Sequence, residues 1–369
     1  MRRTFVAALV PLVVAFFGGG PAAPAFAACG FSIVPNEPVP NHDSDFSSVV
    51  ATSATEAWAF GDYDRRDGGN SLLAERWDGT AWTRTPIPDA GPRQNFINGS
   101  TALSANDIWV VGDWNDTIYH GLIEHWDGTS WTVGSDGETA DHFLQGVSAD
   151  SPSDVWAVGG EVGLPSGGAL ILHFDGTSWS PSSAAFATQS VLNSVVALAP
   201  DDVWAVGSTH FRHLEHTLVE HWNGSAWSVV PSPTPKTTGG DLWSAAATGP
   251  DDVWAVGEKF DHSGLSEHWD GTSWSIVSTP TTASVPHLHS VVALSPTDVV
   301  AVGYVYGPDY TPLTERWDGS KWRVIPSETQ GIFVFLYGAA AIPGTSQVWA
   351  VGNQEATGQP SQPSVERSC

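Results

Sequence analysis

Basic residues are scarce in this sequence: 14 Lys and Arg stand against 40 Asp and Glu in 369 residues, a formal net charge of −26. Phosphate backbones are bound by clustered Lys and Arg, and the nearest approaches to a cluster are Arg65-Arg66 and residues 321–323. No nucleic-acid partner is expected. The acidic balance confers solubility and weak non-specific adhesion, and it suits cationic ligands or Ca²⁺. Beyond the N-terminal stretch, no apolar run approaches the roughly 18 residues of a membrane span. No segment carries a sustained apolar period of about 3.6 residues, so helices have no evident place. Gly-rich phosphate loops between a strand and a helix are missing, as is a Gly-x-Ser-x-Gly nucleophile elbow. Cysteine is limited to Cys29 and Cys369.

What is abundant is repetition. The stretch 252–277, DVWAVGEKFDHSGLSEHWDGTSWSIV, recurs along almost the whole chain. Its tryptophan column reads Trp58, Trp109, Trp156, Trp204, Trp254, Val300 and Trp349, with spacings of 51, 47, 48, 50, 46 and 49 residues. A full copy contains four short runs rich in Val, Leu, Ala and Trp, split by turn residues. In the sixth copy these are residues 288–294, 298–303, 313–317 and 321–325. Asp-Gly supports the positive backbone angles of a tight hairpin. Short strands, turn dipeptides and this period predict an all-β chain, a seven-bladed β-propeller with four antiparallel strands per blade. A large ring recurring in nearly every blade reads as blade-on-blade packing. The recurring Glu75, Glu124, Glu220, Glu267 and Glu315 read as a structural ladder.

Residues 1–27 read as a secretory signal peptide: Arg2 and Arg3, an apolar run over 5–17, then Ala25-Phe26-Ala27 as a small-x-small cleavage site. Residues 28–369 are then one propeller domain, exported, extracellular and monomeric, with 12 basic against 40 acidic residues and a net charge of −28. The last copy stops after a third strand at Val365-Glu366-Arg367-Ser368-Cys369, whereas Cys29 to Val34 matches a fourth strand with no first three. The N-terminal strand is therefore expected to complete the last blade, which removes an open edge. The same alignment sets Cys29 and Cys369 at one hairpin end, so a disulfide between them is expected. The competing reading is a lipoprotein acylated at Cys29, against which Phe26 stands where such signals carry Leu.

Seven internal copies supply their own comparison: columns repeated in every blade serve the architecture, and columns that change character are free for function. The variable loops between second and third strands, residues 62–70, 113–120, 160–168, 208–216, 258–264, 304–310 and 353–362, are expected on one face. The most informative column follows the apolar start of each innermost strand: Ser47, Asn98, Gln145, Asn193, Trp243, His289 and Tyr337. Polar and aromatic side chains converging on one concavity suit a small polar ligand or sugar. They also suit mutual hydrogen bonding around a water-filled channel, and both readings stand. Asp62, Asp113 and Glu258 follow the second strand and are expected at the same mouth. Two carboxylates about 5–9 Å apart permit glycoside hydrolysis, and His289 with Tyr337 would serve as base and acid in a sugar-lyase scheme. Asn41-x-Asp43-x-Asp45 carries the first three positions of a calcium loop without the later Gly and Glu. His210, His213 and His216 lack the partners that complete a recognised metal site, and no cofactor is expected.

The paired motifs Asp-Val-Trp-Ala-Val-Gly at 252–257 and Glu-His-Trp-Asp-Gly-Thr-Ser-Trp at 267–274 resemble the repeats of secreted actinobacterial propeller proteins. They are distantly similar to kelch and galactose-oxidase-like blades. Kelch blades carry a Gly-Gly pair where most copies here have one Gly, and both cysteines are assigned to closure, so no copper ligand set is carried over. Propellers host many activities. The sequence supports a non-catalytic extracellular module that binds a glycan, another small polar ligand or a cell-surface protein at the channel mouth through Asn98, Gln145, Asn193, Trp243, His289 and Tyr337. The alternative is a polysaccharide lyase or glycoside hydrolase working at that mouth.

Overall fold

The structure, a computed structural model, describes residues 30–369 except 138–140, 163–166, 187–188, 212–213, 236–238, 262, 281–283, 308, 329–330 and 332. The signal-peptide segment and Cys29 lie outside the described residues. No helix among the described residues is long and apolar enough to cross a membrane.

Among the described residues, twenty-eight strands form seven four-stranded antiparallel sheets, each assembled from consecutive strands except the last. In the first blade they run from the axis outward as Ser44–Ser53, Glu56–Asp64, Asn70–Trp77 and Trp82–Arg84. The outermost strand of every blade has only three residues, a length that offers little edge for another chain to join. In the last blade that strand is Phe31–Ile33, which pairs with Gln362–Ser368 in the register Phe31↔Ser368, Ser32↔Arg367, Ile33↔Glu366. Phe31 thereby stands where Trp274 stands in the fifth blade, opposite the position of Trp269. The expected strand closure and its register are both present.

The outer hairpins show why the repeat spells Asp-Gly-Thr-Ser. Asp270 Oδ1 accepts from the backbone N–H groups of Thr272 and Ser273, both at 2.9 Å, and from the Thr272 hydroxyl at 2.6 Å. Gly271 between them has φ +86°, a conformation with no steric cost only for glycine.

There is no single core. Each apolar cluster spans two neighbouring blades, and the tryptophan column bridges them. Trp254 is 1% exposed and packs on the next blade's Trp317 and Trp322, at centroid distances of 5.1 and 5.4 Å. On its own blade it stacks on His268 at 4.3 Å, and His268 Nε2 meets Asp252 Oδ1 at 2.6 Å. One strand pair, Trp254↔His268, thus explains the conjunction of Asp-Val-Trp with Glu-His-Trp. The exception, Val300, faces the closing blade, where Phe31 and Ser368 replace two tryptophans. Val300 and Phe31 share a cluster there, so the smaller residue fits a seam with a smaller partner.

The glutamate ladder is buried completely: Glu75, Glu124, Glu220, Glu267, Glu315 and Glu366 are all 0% exposed. Two of them clasp the connectors that lead into their own blades. Glu220 accepts from the N–H groups of Ala185 and Phe186, both at 2.8 Å, and Glu75 from that of Glu37 at 3.3 Å. Burial in an apolar interface disfavours the charged form. It pushes Glu124, Glu267, Glu315 and Glu366 up to about 8 and Glu75 to about 7. A glutamate at 4.5 when unfolded and about 8 when folded favours the fold fully below pH 4.5, and that contribution is lost as pH rises through 8. Glu267→Gln, which has no such proton to lose, is expected to be more stable than the parent by about 3 kcal/mol near pH 7 and equally stable below pH 4.5. Urea melts at the two pH values check this; a parent more stable than the variant at pH 7 contradicts it.

Candidate functional site

In all seven innermost strands the pairing to the second strand slips by one residue, as between Leu242 and Ser244, leaving Trp243 unpaired. The bulged residues are Ser47, Asn98, Gln145, Asn193, Trp243, His289 and Tyr337, the full column that the sequence singles out. A bulge re-aims its side chain away from the regular pleat. All seven line one axial cavity of about 210 Å³. The bulge also explains the glycine that recurs near the end of every second strand. A Cβ on Gly257 would lie 1.9 Å from the Asp241 carbonyl oxygen, and the equivalent contact recurs at 1.8–2.1 Å in the other six blades.

The ring of seven is not chemically uniform. Ser47 donates to the Ile97 carbonyl, Asn98 to that of Leu144 at 2.8 Å and Asn193 to that of Leu242 at 2.8 Å. Each of these binds the next blade's backbone just ahead of its bulge. These three are therefore engaged by the neighbouring blade's backbone and not by one another. Gln145, Trp243, His289 and Tyr337 form no side-chain hydrogen bond among the described residues. The three rings are neighbours: Trp243 lies 5.7 Å from His289, which meets Tyr337 edge-on at 5.6 Å. Burial and the nearby His287 lower His289 to about 4, so its imidazole is neutral at physiological pH.

On this side of the channel, aromatic residues continue from the axis to the rim. His289 stacks on Tyr304 at 5.2 Å, Tyr304 lies 5.8 Å from Tyr310, and Tyr310 meets Tyr306, 51% exposed, at 5.0 Å. Phe335 packs between Tyr304 and Tyr310 at 4.9 and 4.8 Å. The second strand of the sixth blade runs Asp298–Tyr306, so Tyr304 and Tyr306 are strand residues in what the sequence predicts as loop 304–310. Pairing continues because Val285, Pro286 and His287 stay in register opposite them.

The carboxylates gather mainly on the other side. Asp45 and Asp62 are directly opposed across the first blade's inner strands. Burial first raises both above the ordinary carboxylate range, with repulsion from Asp64 added at Asp45 and from Asp45, Asp64 and Asp113 at Asp62, which is pushed up to about 8 and so retains a proton near neutrality. Asn70 donates to Asp62 at 2.6 Å and Asn98 to Asp113 at 3.1 Å. Burial also raises Asp113. Glu258 is set apart in the fifth blade, paired with His287. The structure thus groups Asp62 with Asp113, and His289 with Tyr337, while Glu258 belongs to the aromatic side. Asp43, in the calcium-loop stretch, is engaged by the Ser361 N–H at 2.7 Å, and Asn41 sits at a backbone turn with φ 64°. Among the described residues no group of three His, Cys, Asp or Glu is arranged to hold a metal ion. His213 lies outside the described residues.

Sequence reasoning missed the aromatic slope. Its signal was the apolar-ring alternation Phe333-Val-Phe335-Leu-Tyr337, which points three rings to one face of the seventh inner strand.

No protein-family model matches the chain, and no curated protein is similar to it. Among solved structures, the GH74 xyloglucanase from Xanthomonas campestris is similar over 89% of this chain and 55% of its own, with 13% identity and a TM-score of 0.58. YCF48 bound to D1 peptide is similar over 92% of this chain and 99% of its own, at 13% identity and a TM-score of 0.53. The six-bladed fucose-recognising lectin of Aleuria aurantia covers 80% of this chain and 99% of its own, at 13% identity and a TM-score of 0.51. At such identities the likeness is one of fold: the chain is built as a β-propeller, here of seven blades.

Proposed function

We propose that this chain is a secreted, non-catalytic binding module that takes a glycan at the mouth of its central channel. The supporting observation is that four of the seven bulged residues, Gln145, Trp243, His289 and Tyr337, line one cavity without hydrogen-bonding to each other, three of them as neighbouring rings. A pyranose offers an apolar face to rings and hydroxyls to amides. The propeller fold is shared with lectins that recognise fucose, which makes the assignment chemically ordinary.

A glycan array followed by titration calorimetry tests it. The best binder is expected to lose at least about tenfold in affinity, roughly 1.4 kcal/mol, on Trp243→Ala or Gln145→Ala. Binding that ignores both substitutions would refute the site.

The enzymatic alternative is favoured by one feature, the proton retained by the Asp45–Asp62 pair near neutrality, which is a property of a general acid. Reducing-sugar release abolished by Asp62→Asn would establish that reading in place of the first.

Export and closure belong to the same proposal. The exported chain is expected to begin at Ala28 and to carry a Cys29–Cys369 disulfide. Cys369 N–H donates to the Gly30 carbonyl at 3.4 Å, which brings the residue after Cys29 against Cys369. Intact mass of the exported protein decides between this bond and a lipid adduct on Cys29.

A further inference from the structure

A polar cavity is a general description; the surroundings of this one also have a sign. No charged side chain lines it, and its sign comes from acids that adjoin its lining residues. Burial, and after it the charge of Asp45, raises the Tyr337 phenol, and Asp62 stands opposite Asp45 in register. Asp113 holds the lining amide of Asn98. Asp45, Asp62 and Asp113 have no cationic partner among the described residues, and the Asp45–Asp62 pair, though it retains a proton near neutrality, still carries a negative charge. Carboxylates alone would attract any counterion weakly. Here they adjoin a cavity whose ring of seven bulged residues includes the neighbouring aromatic side chains of Trp243, His289 and Tyr337, and a desolvated ammonium gains both from ring faces and from carboxylates. A neutral hydroxyl gains neither term in full.

Size narrows the ligand further. The cavity of about 210 Å³ is equivalent to about seven waters at roughly 30 Å³ each, enough for one sugar unit and too little for a chain passing through. Beyond that first unit, the aromatic slope offers a surface for more: Tyr304, Tyr310 and Tyr306 lead outward to an exposed rim.

We propose, building on the glycan reading, that the channel mouth selects the end of an oligosaccharide bearing free amino groups, a glucosamine-type chain. The terminal unit sits in the axial cavity against Trp243 and Tyr337, its ammonium toward Asp45 and Asp62. The next units stack along Tyr304, Tyr310 and Tyr306.

Titration calorimetry at neutral pH on the full exported protein tests this with four probes: a glucosamine trimer, its N-acetylated counterpart, a glucose trimer and tri-lysine. The amine trimer is expected to bind about tenfold more tightly than either neutral trimer. Asp45→Asn with Asp62→Asn is expected to erase that preference, bringing the ratio of amine-trimer to neutral-trimer affinity to about one. Should the double variant fail to fold, Tyr306→Ala at the exposed rim serves: it is expected to weaken the amine trimer and leave the glucosamine monomer unaffected. Three sugars bound equally, all weakened by Trp243→Ala, would overturn the amine assignment and leave the glycan reading standing. No sugar bound would overturn both, and tri-lysine bound above every sugar would overturn the carbohydrate assignment.

Discussion

Reduction of the proposed Cys29–Cys369 disulfide is expected to destabilise the protein by about 6 kcal/mol, the chain-entropy value for a loop of roughly 340 residues. For a domain of about 340 residues that corresponds to a fall in Tm of roughly 8 °C. The seam explains why the bond would matter. The terminal strand has only Phe31–Ile33 in its ladder, supported by Phe31 N–H to the Pro326 carbonyl at 2.8 Å and Val34 N–H to the Val365 carbonyl at 2.8 Å. Phe31, 2% exposed, replaces the tryptophan that other interfaces carry. A seam with fewer rings gains most from a link that holds its strand in place when the ring opens. Only two cysteines exist, so reductant acts on this pair alone. Cys369→Ser should reproduce the shift. A Tm that does not respond to reductant, with free thiols at both positions, would remove the covalent closure.

Trp254→Ala is expected to be the most damaging single truncation away from the seam, by about 4 kcal/mol, within the usual range for a buried Trp or Phe. It removes a ring that contacts His268 on its own blade and Trp317 and Trp322 on the next. Because the core is distributed over seven blade interfaces, collapse around the void would require two sheets to approach. Adjacent blades on either side hold them apart. The control is Trp243→Ala, the same truncation at the half-buried channel wall, which is expected to change stability by less than about 1 kcal/mol. Equal losses for the two variants, measured by urea unfolding, would contradict the division between packing tryptophans and a ligand-facing one.

Architecture was legible because each blade repeats one solution. Trp254, His268 and Asp252 recur together since one strand pair brings them into contact, and the last copy, which lacks a fourth strand of its own, is completed by Phe31–Ile33. The channel column was legible as the one that varies. Its internal division was not: Ser47, Asn98 and Asn193 are occupied by carbonyls of the neighbouring blade, a relation that no pattern within one copy records. The bulges were also hidden, although the Gly near each second strand's end is their trace, because that Gly admits the displaced carbonyl. Neither the aromatic slope nor the Asp45–Asp62 pair could be read as a unit, since each is assembled from separate strands.

Trp243 offers the most direct test. Its indole N–H is one of 19 tryptophan probes in the chain and can be assigned by its loss in Trp243→Phe. On titration with the best-binding sugar, the Trp243 indole resonance should move saturably while those of the blade-interface residues Trp156, Trp254 and Trp349 stay in place. A bound sugar that shifts outer tryptophans such as Trp222 or Trp269 and leaves Trp243 unmoved would place binding elsewhere on the propeller and contradict the axial site.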